Sequence, residues 1–284
     1  MRRAVLLFVI LVALPVSAQQ DDWTAVENAL GRAGRFSAGV YKVSFPRTDL
    51  HVSIGKTRLE PSAALGTWMA FRHAGNVVVA DGDLVVTSDE LGPVTSALIQ
   101  SGLEVSAIHN HLAGERPVVY YVHFFFHGEL ARALEGIKSA LAATGTPTGK
   151  VSPKQPQGLP YDRAGIEKVL GVEGSLNGVV LGFSFPRKHP IHMHGQELAP
   201  AMGMATAINF QPSPLGVAAT GDFVLRENEV AKVVKQLRQD EVLLTALHNH
   251  LLDDEPRLAF LHFWVEGEPK MVAEKLKRAL DIVK

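Results

Sequence analysis

The chain contains no cysteine in 284 residues. That removes disulfides, thiolate metal sites, iron–sulfur clusters and cysteine nucleophiles together. Excess charge is also missing: the formal net charge is −1, so the basic footprint of a general nucleic-acid binder is absent. No Gly-x-Ser-x-Gly elbow and no phosphate-cradling Walker loop occurs. Beyond the first 18 residues no apolar run is long enough for a membrane-spanning helix. What remains is an apolar chain, 46% hydrophobic and 20% charged, which argues for folded domains over disorder. Twelve histidines are its conspicuous chemistry.

The first segment reads as an address. Arg2 and Arg3 precede an apolar run of 11 residues, Ala4 to Leu14, and then Pro15-Val16-Ser17-Ala18. This is the three-part pattern of a secretory signal peptide, with cleavage expected after Ala18. The expected product is exported, periplasmic or extracellular, with no membrane span after cleavage.

The rest of the chain repeats itself. His109-Asn110-His111-Leu112 returns as His248-Asn249-His250-Leu251, at an offset of 139. The same offset carries Pro117 to Pro256, His123-Phe124 to His262-Phe263, Phe71 to Phe210 and Gly82-Asp83 to Gly221-Asp222. Phe45-Pro46-Arg47 and Phe185-Pro186-Arg187 match with a slip of one residue. A period this long means two domain-sized copies, not a solenoid. The expected division is residues 1–18 signal peptide, 19–143 first repeat, 144–160 a Pro/Gly/Lys-rich linker, and 161–284 second repeat.

Each copy has an opening helix (22–31, 161–170), short strand candidates (39–45, 66–72 and 77–86 in the first copy), and a mid-domain helix beginning near Ser88 or Glu229. An aromatic strand (118–126, 258–265) and a closing amphipathic helix (129–141, 269–283) follow. Helices and strands that do not strictly alternate predict an α+β fold. We therefore expect two tandem α+β domains with mostly antiparallel sheets, packed as a pseudo-twofold pair.

Along a strand, residues two apart share a face, so His109 pairs with His111 and His248 with His250. If the hairpin puts His109 opposite Tyr121 and Ala107 opposite His123, all three histidines of the first copy lie on one face. A one-residue slip would move His123 away. Three converging imidazoles make a divalent-metal site, suited to zinc, copper or iron, with an open position for chemistry. The expected ligands are His109, His111 and His123 in one copy and His248, His250 and His262 in the other. Glu115 and Asp254, in the loops that follow, are accessory candidates as a further ligand or general base. The same histidines also fit a metal-free binding pocket or a structural hairpin. A binding module for cell-envelope glycan, peptidoglycan or another small ligand is the alternative function.

Other features read more simply. His189, His192 and His194 flank Pro190 in a predicted loop near Met202 and Met204, a soft set for Cu(I) but more simply loop and core residues. Asp83 and Asp222 each follow a glycine and read as turn residues. The aromatic run at Tyr120 to Phe126 reads as core, and His73 and His127 as surface.

The His-Asn-His-Leu motif, the proline after it, the aromatic strand with His-Phe and the glycine before the last helix together resemble the LppY/LpqO family of exported bacterial proteins. The resemblance covers both copies. It implies export and a tandem domain of unknown function, and it brings no established catalytic residues. The family includes lipoproteins; the cysteine that such an anchor needs is missing here.

Overall fold

The computed structural model describes residues 23–149 and 158–283. The predicted signal peptide and the centre of the predicted linker lie outside them. The first repeat runs α1 (Thr24–Leu30), β1 (Arg35–Ser37), β2 (Val40–Pro46), β3 (Ser53–Ile54), β4 (Thr57–Arg58), α2 (Pro61–Ala64), β5 (Gly66–Ala74) and β6 (Val77–Val86). It continues with α3 (Ser88–Gln100), β7 (Glu104–His109), β8 (Glu115–Arg116), β9 (Tyr120–Gly128) and α4 (Leu130–Ala142). The second repeat runs α5 (Arg163–Leu170), β10 (Ser175–Asn177), β11 (Val180–Pro186), β12 (Ile191–Met193), β13 (Gln196–Leu198), an irregular turn at Pro200–Met204, β14 (Ala205–Ser213) and β15 (Gly216–Arg226). It ends with α6 (Glu227–Gln239), β16 (Leu243–His248), β17 (Asp254–Glu255), β18 (Leu258–Gly267) and α7 (Pro269–Leu280).

The expected α+β architecture is what these elements build. Six strands form an antiparallel sheet in the order β1-β2-β5-β6-β9-β7, and β10-β11-β14-β15-β18-β16 repeats that order. Period-two alternation sorts each strand between two environments. In the first copy Val43, Phe45, Met69, Phe71, Ala80, Phe124 and Phe126 pack under Val94 and Leu98 of α3 and Ala133, Ile137 and Ala140 of α4. The opposite sheet face does not meet water. Val40, Ala70, Val79 and Phe125 join a core with Met193, Met202, Met204 and Phe260 of the second copy. Strand β9 is thus buried on both faces, which is why its sequence is a nearly unbroken apolar run.

Each copy also sends an arm over the other. The hairpin β3–β4 with β8, and its counterpart β12–β13 with β17, form two three-stranded sheets. The first arm's Val52, Leu59 and Leu65 pack with Ala218 and Trp264 of the other copy. Gln211 accepts a hydrogen bond from the Glu60 amide at 3.0 Å and donates to the Arg58 carbonyl at 2.8 Å. Asn209 donates to the Ala63 carbonyl at 2.9 Å. The longer helices therefore form outer layers and the two sheets an inner pair, with the short α2 lying against β14 and β15.

The repeated Phe-Pro-Arg motif has a structural purpose. Arg47 donates to the Val85 carbonyl and to Glu90 at 2.8 Å; Arg187 does the same with Val224 and Glu229. Each guanidinium ties a strand end to the start of the following helix, where Glu90 also caps the Thr87 amide at 2.8 Å. At the start of the predicted linker, Arg32 holds the carbonyls of Pro147 and Gly149 at 2.8 and 2.7 Å.

The turn reading of Asp83 and Asp222 is overturned. Both lie inside long central strands, opposite His123 and His262 respectively. The preceding glycine reflects crowding: a Cβ on Gly82 would stand 2.6 Å from the Phe124 ring and from the Trp68 carbonyl. His192 is likewise in strand β12 and not in a loop, because the arm strand pairs on both sides there. Met202 and Met204 are buried core residues, and His73 and His127 are exposed, as read from sequence.

Candidate metal centre

Register decides the site. His109 stands opposite Tyr121 and Ala107 opposite His123, and His248 opposite Phe260 and Ala246 opposite His262. So in both copies the His-x-His strand and the aromatic strand present their three histidines on one face. That face is the one turned toward the other copy.

The two triads therefore meet. His109 and its counterpart His248 stack on each other with ring centroids 3.6 Å apart. His111 stacks on His262 at 4.0 Å, and the equivalent pair, His250 and His123, meets tilted at 3.7 Å. Exchanging the copies exchanges these contacts, as a pseudo-twofold axis through the His109–His248 pair requires. Six imidazoles thus occupy one centre, where the sequence separated them into two.

Two sets of four place their ligand atoms within 4.8 Å of one another: His109, His248, His250 and His262, and His109, His111, His123 and His250. Both need His109 and His250. The Nε2 atoms of His109, His111, His123 and His250 are buried and have no hydrogen-bond partner. Nδ1 of His109 lies 3.1 Å from the Asn110 carbonyl, to which it can only donate, so its Nε2 carries a free lone pair. His248 and His262 are more constrained. Their Nδ1 atoms donate to the Asn249 and Gly221 carbonyls at 2.9 and 3.2 Å, yet their Nε2 atoms face each other at 2.9 Å. Two neutral rings so arranged would oppose lone pair to lone pair. A metal ion about 2.0–2.1 Å from both, off the line that joins them, would remove the conflict.

Burial, reinforced by neighbouring imidazoles, holds the ring pKa values down. His109 is lowered to about 3, by burial and then by His248. His111, His123, His250 and His262 are pushed well below the usual value by burial first. The rings are neutral near pH 7, the form that binds metals.

Beneath them lie carboxyls that the sequence reading assigned to turns. Asp83 places its oxygens 3.6 Å from Nε2 of His123 and 3.8 Å from Nε2 of His111. Burial and then Asp222 push its pKa well up, and burial brings Asp222 to about 7. A bound cation would favour the ionised form, and a carboxylate at that distance could then complete a coordination shell. A cavity of about 260 Å3 opens beside the cluster, bounded by His111, His123, His250, Asp83, Lys42 and Trp68.

The proposed accessory residues stand elsewhere. Glu115 and Asp254 are buried in β8 and β17, paired opposite Ile54 and Met193 of the arms, and neither joins a histidine set. Asp254 accepts the Leu258 amide at 2.6 Å, which holds its own hairpin. His194 lies at the surface, 3.3 Å from both Glu104 and Asp253, and the soft His/Met cluster does not assemble. Asp83, Asp222, Lys42 and Trp68 were missed by sequence reasoning. Duplication flagged the aspartates, but only strand register places them under the histidines.

Among solved structures, a trimeric bacterial microcompartment shell protein PduB is similar at 10% identity, covering 88% of this chain and 90% of that one with a TM-score of 0.24. EtuB from Clostridium kluyveri is similar at 10% identity, covering 87% and 88%, with a TM-score of 0.20. Likenesses this weak carry no argument about this chain. No curated protein matches the sequence. Residues 24–143 and 164–282 each match a sequence family described as Domain of Unknown Function (DUF1259). The chain belongs to that family and carries two tandem copies of its domain.

Proposed function

We propose that this chain is an exported metal-binding protein of LppY/LpqO type that holds one divalent transition ion (zinc, copper or iron) in the histidine cluster between its two copies. The observation that carries this reading is the set of converging, buried Nε2 atoms without partners, together with the opposed His248–His262 pair. Buried polar atoms are normally satisfied, and four imidazole nitrogens that converge without a protein partner favour a shared ligand. An all-imidazole set suits zinc, copper or iron. Because both sets share His109 and His250, an ion in one excludes an ion in the other. The stoichiometry is then one per chain. With an open position toward the cavity, such an ion would serve as a Lewis acid or activate water. The signal-peptide pattern supports export.

The test is elemental analysis of mature protein made without a histidine tag, beside His109→Ala and His250→Ala variants. One ion per chain in the wild type, lost in both variants, is the expected result. No ion after incubation with zinc, copper or iron would overturn the reading. The histidines would then line a metal-free pocket, and envelope glycans would be the ligands to screen.

A further inference from the structure

The six imidazoles form two overlapping sets, and the two are not images of each other. The pseudo-twofold exchanges His109 with His248, His111 with His250 and His123 with His262. Applied to His109, His111, His123 and His250, it gives His248, His250, His262 and His111. The second convergent set is instead His109, His248, His250 and His262. The symmetry of the chain thus ends at the ligand atoms.

The first set is the open one. Its four Nε2 atoms are the buried imidazole nitrogens that have no partner. Asp83 faces it, with Oδ1 3.6 Å from Nε2 of His123 and Oδ2 3.8 Å from Nε2 of His111, and Oδ1 also lacks a partner. None of these four nitrogens, nor Oδ1, gives up a hydrogen bond by binding an ion. The equivalent carboxyl of the second copy is engaged elsewhere: Asp222 accepts the Ala207 amide at 3.3 Å. His111, His123, His250 and Asp83 all border the cavity, so an ion in this set has its free position there.

The second set is half closed and reaches the surface. His248 and His262 turn Nε2 to Nε2 at 2.9 Å. His109 and His248, the stacked pair on the axis, are partly exposed and do not border the cavity. An ion arriving along the axis meets this pair first. His109 and His250 belong to both sets. An ion can therefore pass between the sets by exchanging His248 and His262 for His111 and His123, while the two shared ligands hold it throughout.

We propose that the second set is the loading position of the metal ion, and that the first set, completed by Asp83, is its resting position. The proposal rests on the metal reading above. His248 is then a receiving ligand: it takes the ion at the rim and hands it inward. Once the ion has moved, the partly exposed ring of His248 is free to turn away from His262. A carboxylate beside four imidazoles attracts a divalent ion more strongly than four neutral rings alone, which gives the transfer its direction. A ligand cluster built from two equal copies thus becomes a one-way site, with metal entering on the axis and the open position facing the cavity.

The test uses the full mature protein and cobalt(II), whose visible spectrum reports its ligand set. Wild type, His248→Ala, His262→Ala and His123→Ala are compared by equilibrium titration and by rapid mixing, with cobalt content and far-ultraviolet circular dichroism measured on the same samples. His248→Ala should bind one cobalt with the wild-type spectrum and an affinity within about threefold, yet load at least tenfold more slowly. His262, like His248, belongs to the second set alone, so His262→Ala should do the same and replaces His248→Ala if that variant does not fold. His123→Ala, which removes a ligand of the resting set, should bind at least about tenfold more weakly, with a changed spectrum. Weakening in the second-set variants equal to that of His123→Ala, wild-type loading rates in them, or unchanged affinity in His123→Ala each overturns the proposal and leaves the metal reading intact. Absence of bound cobalt in the wild type overturns both.

Discussion

At the scale of the residue, the centre depends on groups that do not advertise chemistry. Gly82 looks like a turn glycine and is a contact glycine. Its Cβ would press on Phe124 and on the Trp68 backbone at 2.6 Å. Overpacking of this kind costs about 1–3 kcal/mol, so Gly82→Ala should lower stability by that amount in urea unfolding. Asp83 stands 3.6 and 3.8 Å from the Nε2 atoms of two candidate ligands, on the side where an ion would bind. Such a carboxyl should be worth at least as much as an outer-shell partner, about 10–100-fold in affinity. Asp83→Asn should therefore weaken zinc binding by that factor in a competition titration while the far-ultraviolet circular dichroism is unchanged. An unchanged affinity would remove Asp83 from the centre.

Elements are held in place by the repeated arginine. Arg47 is 1% exposed and meets Glu90 and Asp49, each at 2.8 Å. Burial raises the Glu90 carboxyl, but hydrogen bonds from Arg47 and from the Gly145 and Thr87 amides outweigh it and hold the pKa below its ordinary 4.5. The sign follows from linkage: a carboxyl with a lowered folded pKa stabilises the fold fully above its unfolded value. Its contribution is lost as pH falls from about 4.5 through the lowered value. Stability of Glu90→Gln should thus lie below wild type at pH 7 by roughly 1.5–3 kcal/mol, the worth of a charged hydrogen bond, since Arg47 keeps Asp49 and the Val85 carbonyl. The gap should narrow as pH falls below 4.5, where the wild type loses the same charge. A constant gap across that range would assign the loss to packing.

For the whole molecule, the consequence of duplication is a shared interior. The arms cross, the sheet faces meet, and each candidate metal set draws on both copies. A fragment of residues 23–149 alone would lack His250 and would expose Val40, Ala70 and Phe125, which the second copy otherwise covers. It should bind no metal as a monomer and should self-associate, because uncovered apolar faces drive association. Light scattering and elemental analysis check both. In the intact protein, zinc at 100 times its dissociation constant should add about 2.7 kcal/mol of stability. A chelator should reverse the corresponding rise in Tm.

Much was legible from residue order alone. The offset of 139 marked two copies, and local periodicity located the helices and the long strands. Hairpin spacing offered the register with His109 opposite Tyr121, a one-residue slip being the alternative, and the strand pairing of both copies takes it. These are short-range matters, decided by spacing and by the alternation of strand faces. Tertiary structure alone decided that the two triads are one centre, that Asp83 and Asp222 form its floor, and that Lys42 lines the cavity beside it. Those facts depend on which face of each sheet meets the other copy. Contacts between residues some 140 positions apart arise from the packing of two finished surfaces, and no local pattern encodes them.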